Sequence, residues 1–196
     1  MRSPKLYYIR HGQTDWNAEL RYQGRMDIPL NDHGRSQAKR NGEALAGILE
    51  NAEDCNFISS PLSRTRETME IVRAQLKLVQ SEYYIEDRLI EIAYGDFEGN
   101  TRSELAEQMP EQLSARKADA WHFRPENGES HEDALTRISD WYGSLDPNIT
   151  HVVVAHGAVG RVLRHHVLGI PTDELASFSF PQDKVCLLEG SNETWL

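Results

Sequence analysis

The sequence predicts an α/β sandwich around a mainly parallel sheet, and three observations predict it. Short apolar runs of strand length recur at Leu6–Ile9, Cys55–Ser59 and His151–Ala155. Segments with apolar residues at helical spacing separate them. The last run, His151-Val-Val-Val-Ala155, is nearly continuous in apolar side chains, as a parallel strand covered on both faces requires.

The elements follow in order. Leu6–Ile9 opens the fold and runs into Arg10-His11-Gly12. Asp32 to Leu49 reads as a helix that brings Ala38, Leu45, Ile48 and Leu49 to one side. After the strand at Cys55–Ser59, a helix over Leu62 to Leu78 opens just behind Pro61, a residue type suited to a first turn. Ser130 and Asp133 form a shortened capping box for a helix through Leu135, Ile138 and Trp141. A further helix follows Gly157, carries Val159, Val162, Leu163, Val167 and Leu168, and stops at Gly169 and Pro171. The tail from Ser177 alternates enough for one or two edge strands, and an exposed edge there could support a homodimer. Between Asn100 and Gly128 the rhythm breaks. Thr101 and Glu104 suggest a cap, Pro110 restarts the chain, and Arg116, Lys117, His122 and Arg124 make the segment basic. It is expected as a helical excursion over the sheet edge, either a plain solvated pair or a substrate lid. Residues 1–196 read as one domain with this excursion at about 100–128.

A chain of 196 residues buries roughly 70% of its unfolded surface, so its core needs no disulfide or metal staple. Cys55 and Cys186 form no C-x-x-C pair and read as small core residues in a reducing compartment, ahead of a structural disulfide. No run approaches the roughly 18 apolar residues of a membrane span. Functional-looking residues by position 10 leave no room for a removable leader, so a cytoplasmic location is expected. The formal charge of −10, from 31 acidic and 21 basic residues, repels nucleic acid and anionic membranes as partners. It does not exclude a small anion, because local arginines outweigh a global field at contact distance.

Two of the strands end alike, in Arg10-His11-Gly12 and in His156-Gly157. The carboxyl ends of parallel strands form the ligand crevice, so both histidines belong on its floor. The third strand ends in Ser59-Ser60-Pro61-Leu62-Ser63-Arg64 and delivers an arginine to the same edge. One histidine at a strand end is ordinarily a packing residue; two matched His-Gly ends with two arginines are not. A neutral imidazole is a competent nucleophile at phosphorus, and guanidinium forks match pairs of phosphate oxygens. A second imidazole, if protonated, adds a donor. A metal site is disfavoured: H-E-x-x-H is missing, the cysteines lack ligand spacing, and the arginines would repel a cation. A serine hydrolase is weaker still without G-x-S-x-G. His165 and His166 near a helix end need only a structural role, with imidazolium favoured by the dipole. A leaving alkoxide needs a proton, and Glu91, polar within Leu89-Ile90-Glu91-Ile92-Ala93, suits general acid work; Glu86, Asp87, Asp96 and Glu98 stand beside it as candidates.

Ile9-Arg10-His11-Gly12-Gln13-Thr14 with Asn17 resembles the signature of the histidine phosphatase superfamily, the phosphoglycerate mutase-like enzymes. The similarity continues at Arg21-Tyr22-Gln23-Gly24 with Asp27, Pro29-Leu30 and Gly34, and at Ser60-Pro61-Leu62-Ser63-Arg64-Thr65. It resumes at Glu91 with Gly95-Asp96-Phe97-Glu98-Gly99, at Gly128-Glu129-Ser130 and at Val154-Ala155-His156-Gly157. The resemblance implies a three-layer α/β/α sandwich with a mainly parallel mixed central sheet. It also implies a small phosphorylated metabolite as substrate, with no metal and no organic cofactor. By the same resemblance His11 is the nucleophile that becomes phosphohistidine. Arg10, Arg64 and His156 hold the phosphoryl group, helped by Asn17, and Glu91 is the acid and then the base. Gln23 and Gly24, with Arg21, lie beside the substrate.

The family divides between phosphatases and mutases. Cofactor-dependent phosphoglycerate mutases typically carry more insertion, an ordered tail and an arginine directly after the acidic residue. Ile92 and Ala93 stand there in this chain, so net phosphomonoester hydrolysis is expected and mutase-type transfer is the alternative. Arg116, Lys117 and Arg124 keep that alternative open if they reach a second anionic group, whereas as a solvated helix face they do not. A binding-only member would be expected to lose one of Arg10, His11, Arg64, Glu91 or His156, and all five are present.

Overall fold

The computed structural model describes residues 3–196. Strand β1 (Lys5–Arg10) is followed by the one-turn helix α1 (Asp15–Ala18) and by α2 (Asp32–Ala46). Next come β2 (Asn56–Ser59), α3 (Ser63–Gln75) and the two-residue strand β3 (Tyr84–Ile85). The excursion folds as α4 (Arg102–Gln108) and α5 (Pro110–Ala118), ahead of α6 (His131–Gly143) and β4 (Thr150–Ala155). Helices α7 (Gly157–Leu168) and α8 (Thr172–Ser177) lead to β5 (Val185–Glu189) and β6 (Asn192–Trp195).

These strands form one six-stranded sheet in the order β3-β2-β4-β1-β5-β6. β3, β2, β4 and β1 run parallel, β5 runs antiparallel to β1 and β6 antiparallel to β5, which makes the sheet mixed and mainly parallel. Alternation along the strands sorts the core into two halves. Leu6, Tyr8, Val153, Ala155 and Cys186 pack with Ile138 and Trp141 of α6 and Val159 and Val162 of α7. Tyr7, Ile9, Val152 and Val154 pack with Leu45 of α2 and Met69 and Val72 of α3. Helices therefore cover both faces, giving the three-layer α/β/α sandwich. No helix among the described residues is long and apolar enough to cross a membrane.

Several expectations are corrected. Helix α2 ends at Ala46 rather than at Leu49; Gly47, a weak helix residue, caps it, and Ile48 turns out to solvent at 43% exposure. Helix α3 runs over Ser63–Gln75 rather than Leu62 to Leu78, with Leu62 as its N-cap and Leu76 as its C-cap. Of the two tail strands only β6 is an edge, since β5 pairs with β1 inside the sheet. Cys186 is buried as expected, while Cys55 is only half-buried, and both thiols are free. The predicted capping boxes at Thr101/Glu104 and Ser130/Asp133 both form.

Candidate active site

Register brings the chemistry together. Arg10 pairs with Ala155 and Ser59 with Val154, so β1, β2 and β4 end level. The ladder continues one step, with His11 N–H donating to Ala155 O and Ser60 N–H to Val154 O, both at 3.0 Å. His11, Ser60 and His156 thus leave the sheet at one edge. Arg64 follows from the first turn of α3. Their hollow has a volume of about 520 Å³, with Arg10, His11, Asn17, Gln23, Arg64 and Glu91 on its walls.

His11 is 2% exposed, and its Nδ1 lies 2.7 Å from Gly12 O. A carbonyl only accepts, so Nδ1 carries the proton and Nε2 the lone pair. Arg64 Nε donates to that Nε2 at 3.3 Å. Burial strips water from the imidazolium, and Arg64 and Arg10 repel it, so the ring is held well below its ordinary pKa of 6.5. The neutral ring with an unprotonated Nε2 is the form able to attack phosphorus once Arg64 lets go of it.

The His156 ring lies edge-on to His11 with centroids 5.2 Å apart. Its Nε2 meets Ser60 Oγ at 2.7 Å, and Nδ1 is buried without a partner. Burial, then Arg64 and His11, hold His156 well below 6.5 as well, so its ring is neutral and the condition of a protonated second imidazole is not met. Arg10 gives Nη1 to Phe180 O at 2.7 Å and keeps a buried Nε without a partner. Gln23 Oε1 is likewise buried and unpartnered. Unsatisfied buried polar groups each cost about 1–3 kcal/mol, and their gathering at one site marks a place where a polar ligand would answer them.

Asn17 Oδ1 accepts from Thr14 N–H at 3.2 Å and from Gln182 Nε2 at 3.0 Å, which leaves its Nδ2 as the donor for the hollow. Gly24 turns with φ +53°, and its carbonyl accepts from Arg64 Nη2 at 2.8 Å. A Cβ there would also fall 1.9 Å from Glu98 Oε1, so the turn admits only glycine. Glu91 is 8% exposed; its carboxylate accepts from Ile92 N–H at 3.1 Å and faces Ala158 N–H at 3.5 Å. The alternatives Asp87, Asp96 and Glu98 are not on the hollow's walls, and Glu86 is taken by Arg88 at 2.7 Å.

Arg21 lines the hollow, but its guanidinium is held by Glu19, Glu104 and Gly99 O. It ties α4 to the wall. In the basic trio, Arg124 is engaged by Asp133, and Lys117 lines a separate concavity with Pro110 and Leu113. Arg116 lies over the rings of Tyr22 and Tyr94, at 5.3 and 5.8 Å. The trio therefore does not act together, and the excursion is closer to the plain solvated pair, since α5 buries no residue and α4 only Leu105. His166 also departs from expectation: burial lowers its pKa and outweighs the helix dipole.

Sequence reasoning did not single out Gln182, Arg161, Arg102 or Tyr94, all on the walls. Arg161 had a readable signal, lying one helical turn beyond Gly157. Gln182, in a tail loop, had none. Among the described residues, no three His, Cys, Asp or Glu side chains gather to hold a metal ion.

A sequence model of the histidine phosphatase superfamily (branch 1) matches residues 6–196. The chain is 31% identical to a glucosyl-3-phosphoglycerate phosphatase of Mycobacterium tuberculosis, over 87% of this chain and 78% of that protein. It is 32% identical to phosphoserine phosphatase 1 of Hydrogenobacter thermophilus, over 89% and 81% respectively. Among solved structures, Bacillus stearothermophilus YhfR superposes with a TM-score of 0.81 at 30% identity, covering 98% of this chain and 95% of that one.

Proposed function

The chain belongs to the histidine phosphatase superfamily, and on that premise we propose that it hydrolyses a small phosphorylated metabolite through a phosphohistidine on His11. The observation that carries this reading is the His11 tautomer: Nδ1 is committed to Gly12 O, and Nε2 offers its lone pair to a hollow walled by Arg10 and Arg64.

In the proposed cycle His11 Nε2 attacks phosphorus as the P–O ester bond breaks. Arg64 Nε releases the imidazole and turns to a phosphoryl oxygen; Arg10 Nε, His156 Nδ1–H and Asn17 Nδ2 donate to the others. Charge spread over three equatorial oxygens is neutralised by donors already in place. Glu91 gives its proton to the leaving alkoxide, so an alcohol departs. Its carboxylate then takes a proton from water, the oxygen attacks phosphorus, and the P–Nε2 bond breaks to release inorganic phosphate. The relatives named for glucosyl-3-phosphoglycerate and phosphoserine support a small metabolite as substrate. Hydrolysis is preferred to mutase-type transfer because Ile92, next to the acid, is fully buried in the core and offers no charge to a second anionic group.

The test is phosphate release over a panel of metabolites and an aryl phosphate, with and without 2,3-bisphosphoglycerate. Mass spectrometry after rapid quench should find an acid-labile phosphate on His11. Turnover by His11→Ala would overturn the reading, and activity only with the bisphosphate would replace hydrolysis by transfer.

A further inference from the structure

Leu20 stands at the rim of the hollow with φ 59°. In this left-handed region Cβ crowds the following carbonyl, and glycine is the usual occupant. The conformation is fixed from both sides. Leu20 N–H donates to Asn17 O at 3.2 Å, Arg21 N–H to Trp16 O at 2.8 Å and Tyr22 N–H to Asn100 O at 3.0 Å. The Arg21 side chain is bound by Glu19, Glu104 and Gly99 O. The first two of these backbone bonds are those of a left-handed cap closing α1 behind Glu19.

Among the described residues, two other non-glycine residues have positive φ, Lys77 at 61° and Asn127 at 56°, the latter of a type that tolerates the region. Lys77 ends α3 as Leu20 ends α1, with Lys77 N–H reaching Ala74 O and Leu78 N–H reaching Arg73 O, but its side chain carries a charge and that of Leu20 is apolar. The Leu20 side chain is 79% exposed, yet it shares the walls of the hollow with Tyr22 and Tyr94. Those two rings meet edge-on at 5.1 Å. Leu20 thus stands with two tyrosine rings, themselves covered by Arg116, on walls that also carry Arg102 and Arg161.

Resting on the phosphatase reading, we propose that Leu20 is a specificity contact, and that the alcohol part of the substrate presents an apolar face, aliphatic or aromatic, to Leu20 and the tyrosine pair. The cap of α1 holds that side chain out for the ester to cover.

The experiment compares kcat/KM for phenyl phosphate, n-butyl phosphate and glycerol 1-phosphate, variant against unaltered protein, so that leaving-group reactivity cancels. Leu20→Asn keeps the turn and removes the apolar surface. It should lower kcat/KM for phenyl or butyl phosphate about tenfold relative to its effect on glycerol phosphate, and the more affected ester identifies the kind of apolar face. Leu20→Met should stay within about twofold on all three esters. Leu20→Gly should raise Tm by about 2 °C, because glycine is the usual occupant of a left-handed helix C-cap, and should discriminate among the esters as Leu20→Asn does. Equal changes on all three esters, no change on any, or a fall in Tm for Leu20→Gly would overturn the inference alone. Absence of phosphate release from every ester by the unaltered protein would instead overturn the phosphatase reading and this inference with it.

Discussion

Arg64 Nε lies 3.3 Å from His11 Nε2, while its two terminal nitrogens reach Met26 O at 2.7 Å and Gly24 O at 2.8 Å. One planar group therefore faces the imidazole and secures the loop that walls the hollow. Burial lowers its pKa to about 10, so it remains a cation at neutral pH. Lysine keeps the charge, but its three donors sit on one nitrogen and cannot span the imidazole and both carbonyls as the planar fork does. Arg64→Lys is expected to lower kcat/KM on an aryl phosphate about 10²–10³-fold. Tm should fall by several degrees as buried carbonyls lose their donors. Unchanged kinetics in this variant would show that the guanidinium is not aimed at the transferred group.

The depressed pKa of His11 predicts where acid inactivates. Because the ring stays neutral below 6.5, the acid limb of kcat/KM should lie below pH 6.5 once the ester's own ionisation is allowed for. An acid limb centred above that value would contradict the neutral nucleophile.

The same shifts make stability depend on pH. His11 and His156 are held well below 6.5, and His131, stacked on Trp121 with centroids 5.7 Å apart, is pushed by burial and then by Arg161 and Arg116 to about 3. Below 6.5 the unfolded chain binds protons that the folded chain refuses. Stability is therefore complete above about pH 6.5 and declines as pH falls towards each folded value, by roughly 1.4 kcal/mol per unit per group. His131→Phe removes one such group from outside the proposed chemistry. Urea unfolding at pH 7, 6 and 5 should show a shallower loss for the variant, and parallel curves would remove His131 from the account.

What the sequence disclosed depended on distance along the chain. The capping boxes at Thr101 and Ser130 join residues three apart and were readable directly. The gathering of His11, Arg64 and His156 was readable because parallel strands expose their carboxyl ends together. Contacts made only by folding were not. Gln182 Nε2 reaches His11 O at 3.1 Å from the tail, and no local pattern announces it. Strand β3 has two exposed residues, too few to show alternation. The dipole argument for His166 failed because local reasoning cannot see burial, which sets the sign there.

Tyr8 is a second such contact. Its hydroxyl donates to His156 O at 2.6 Å and accepts from His156 N–H at 3.1 Å. Burial, with Glu91 next, raises its pKa well above 10, so the hydroxyl keeps its proton. One phenol thus fixes both backbone polar groups of the residue that faces His11. Tyr8→Phe leaves His156 N–H unpaired, while His156 O keeps the Gly160 N–H at 3.0 Å, and a loss of about 1–3 kcal/mol is expected from denaturant unfolding. A His156 ring less firmly placed should lower kcat about tenfold with little change in KM, since the donor matters most as charge develops. A variant that loses stability but keeps kcat would assign Tyr8 to the fold alone.

Gly12 couples backbone packing to the tautomer of His11. A Cβ at Gly12 would fall 2.2 Å from Gly34 O and 2.8 Å from Gly34 Cα, backbone atoms at the start of α2 that no rotamer can move aside. Gly12 also donates its N–H to Thr68 Oγ1 at 3.1 Å and offers its carbonyl to His11 Nδ1. Gly12→Ala must displace either α2 or the carbonyl that keeps the proton on Nδ1. The expected loss is about 3 kcal/mol or more, and any folded fraction should show a changed His11 tautomer by nitrogen NMR. Gly143→Ala is the contrasting substitution, because a Cβ in this helical position meets nothing within 4 Å. It should stabilise the protein by about 0.5–1 kcal/mol, as alanine replaces glycine in α6. If Gly12→Ala unfolded at the same urea concentration as the unaltered protein and kept the Nδ1–H ring, the carbonyl of residue 12 could not be what prepares Nε2 for attack.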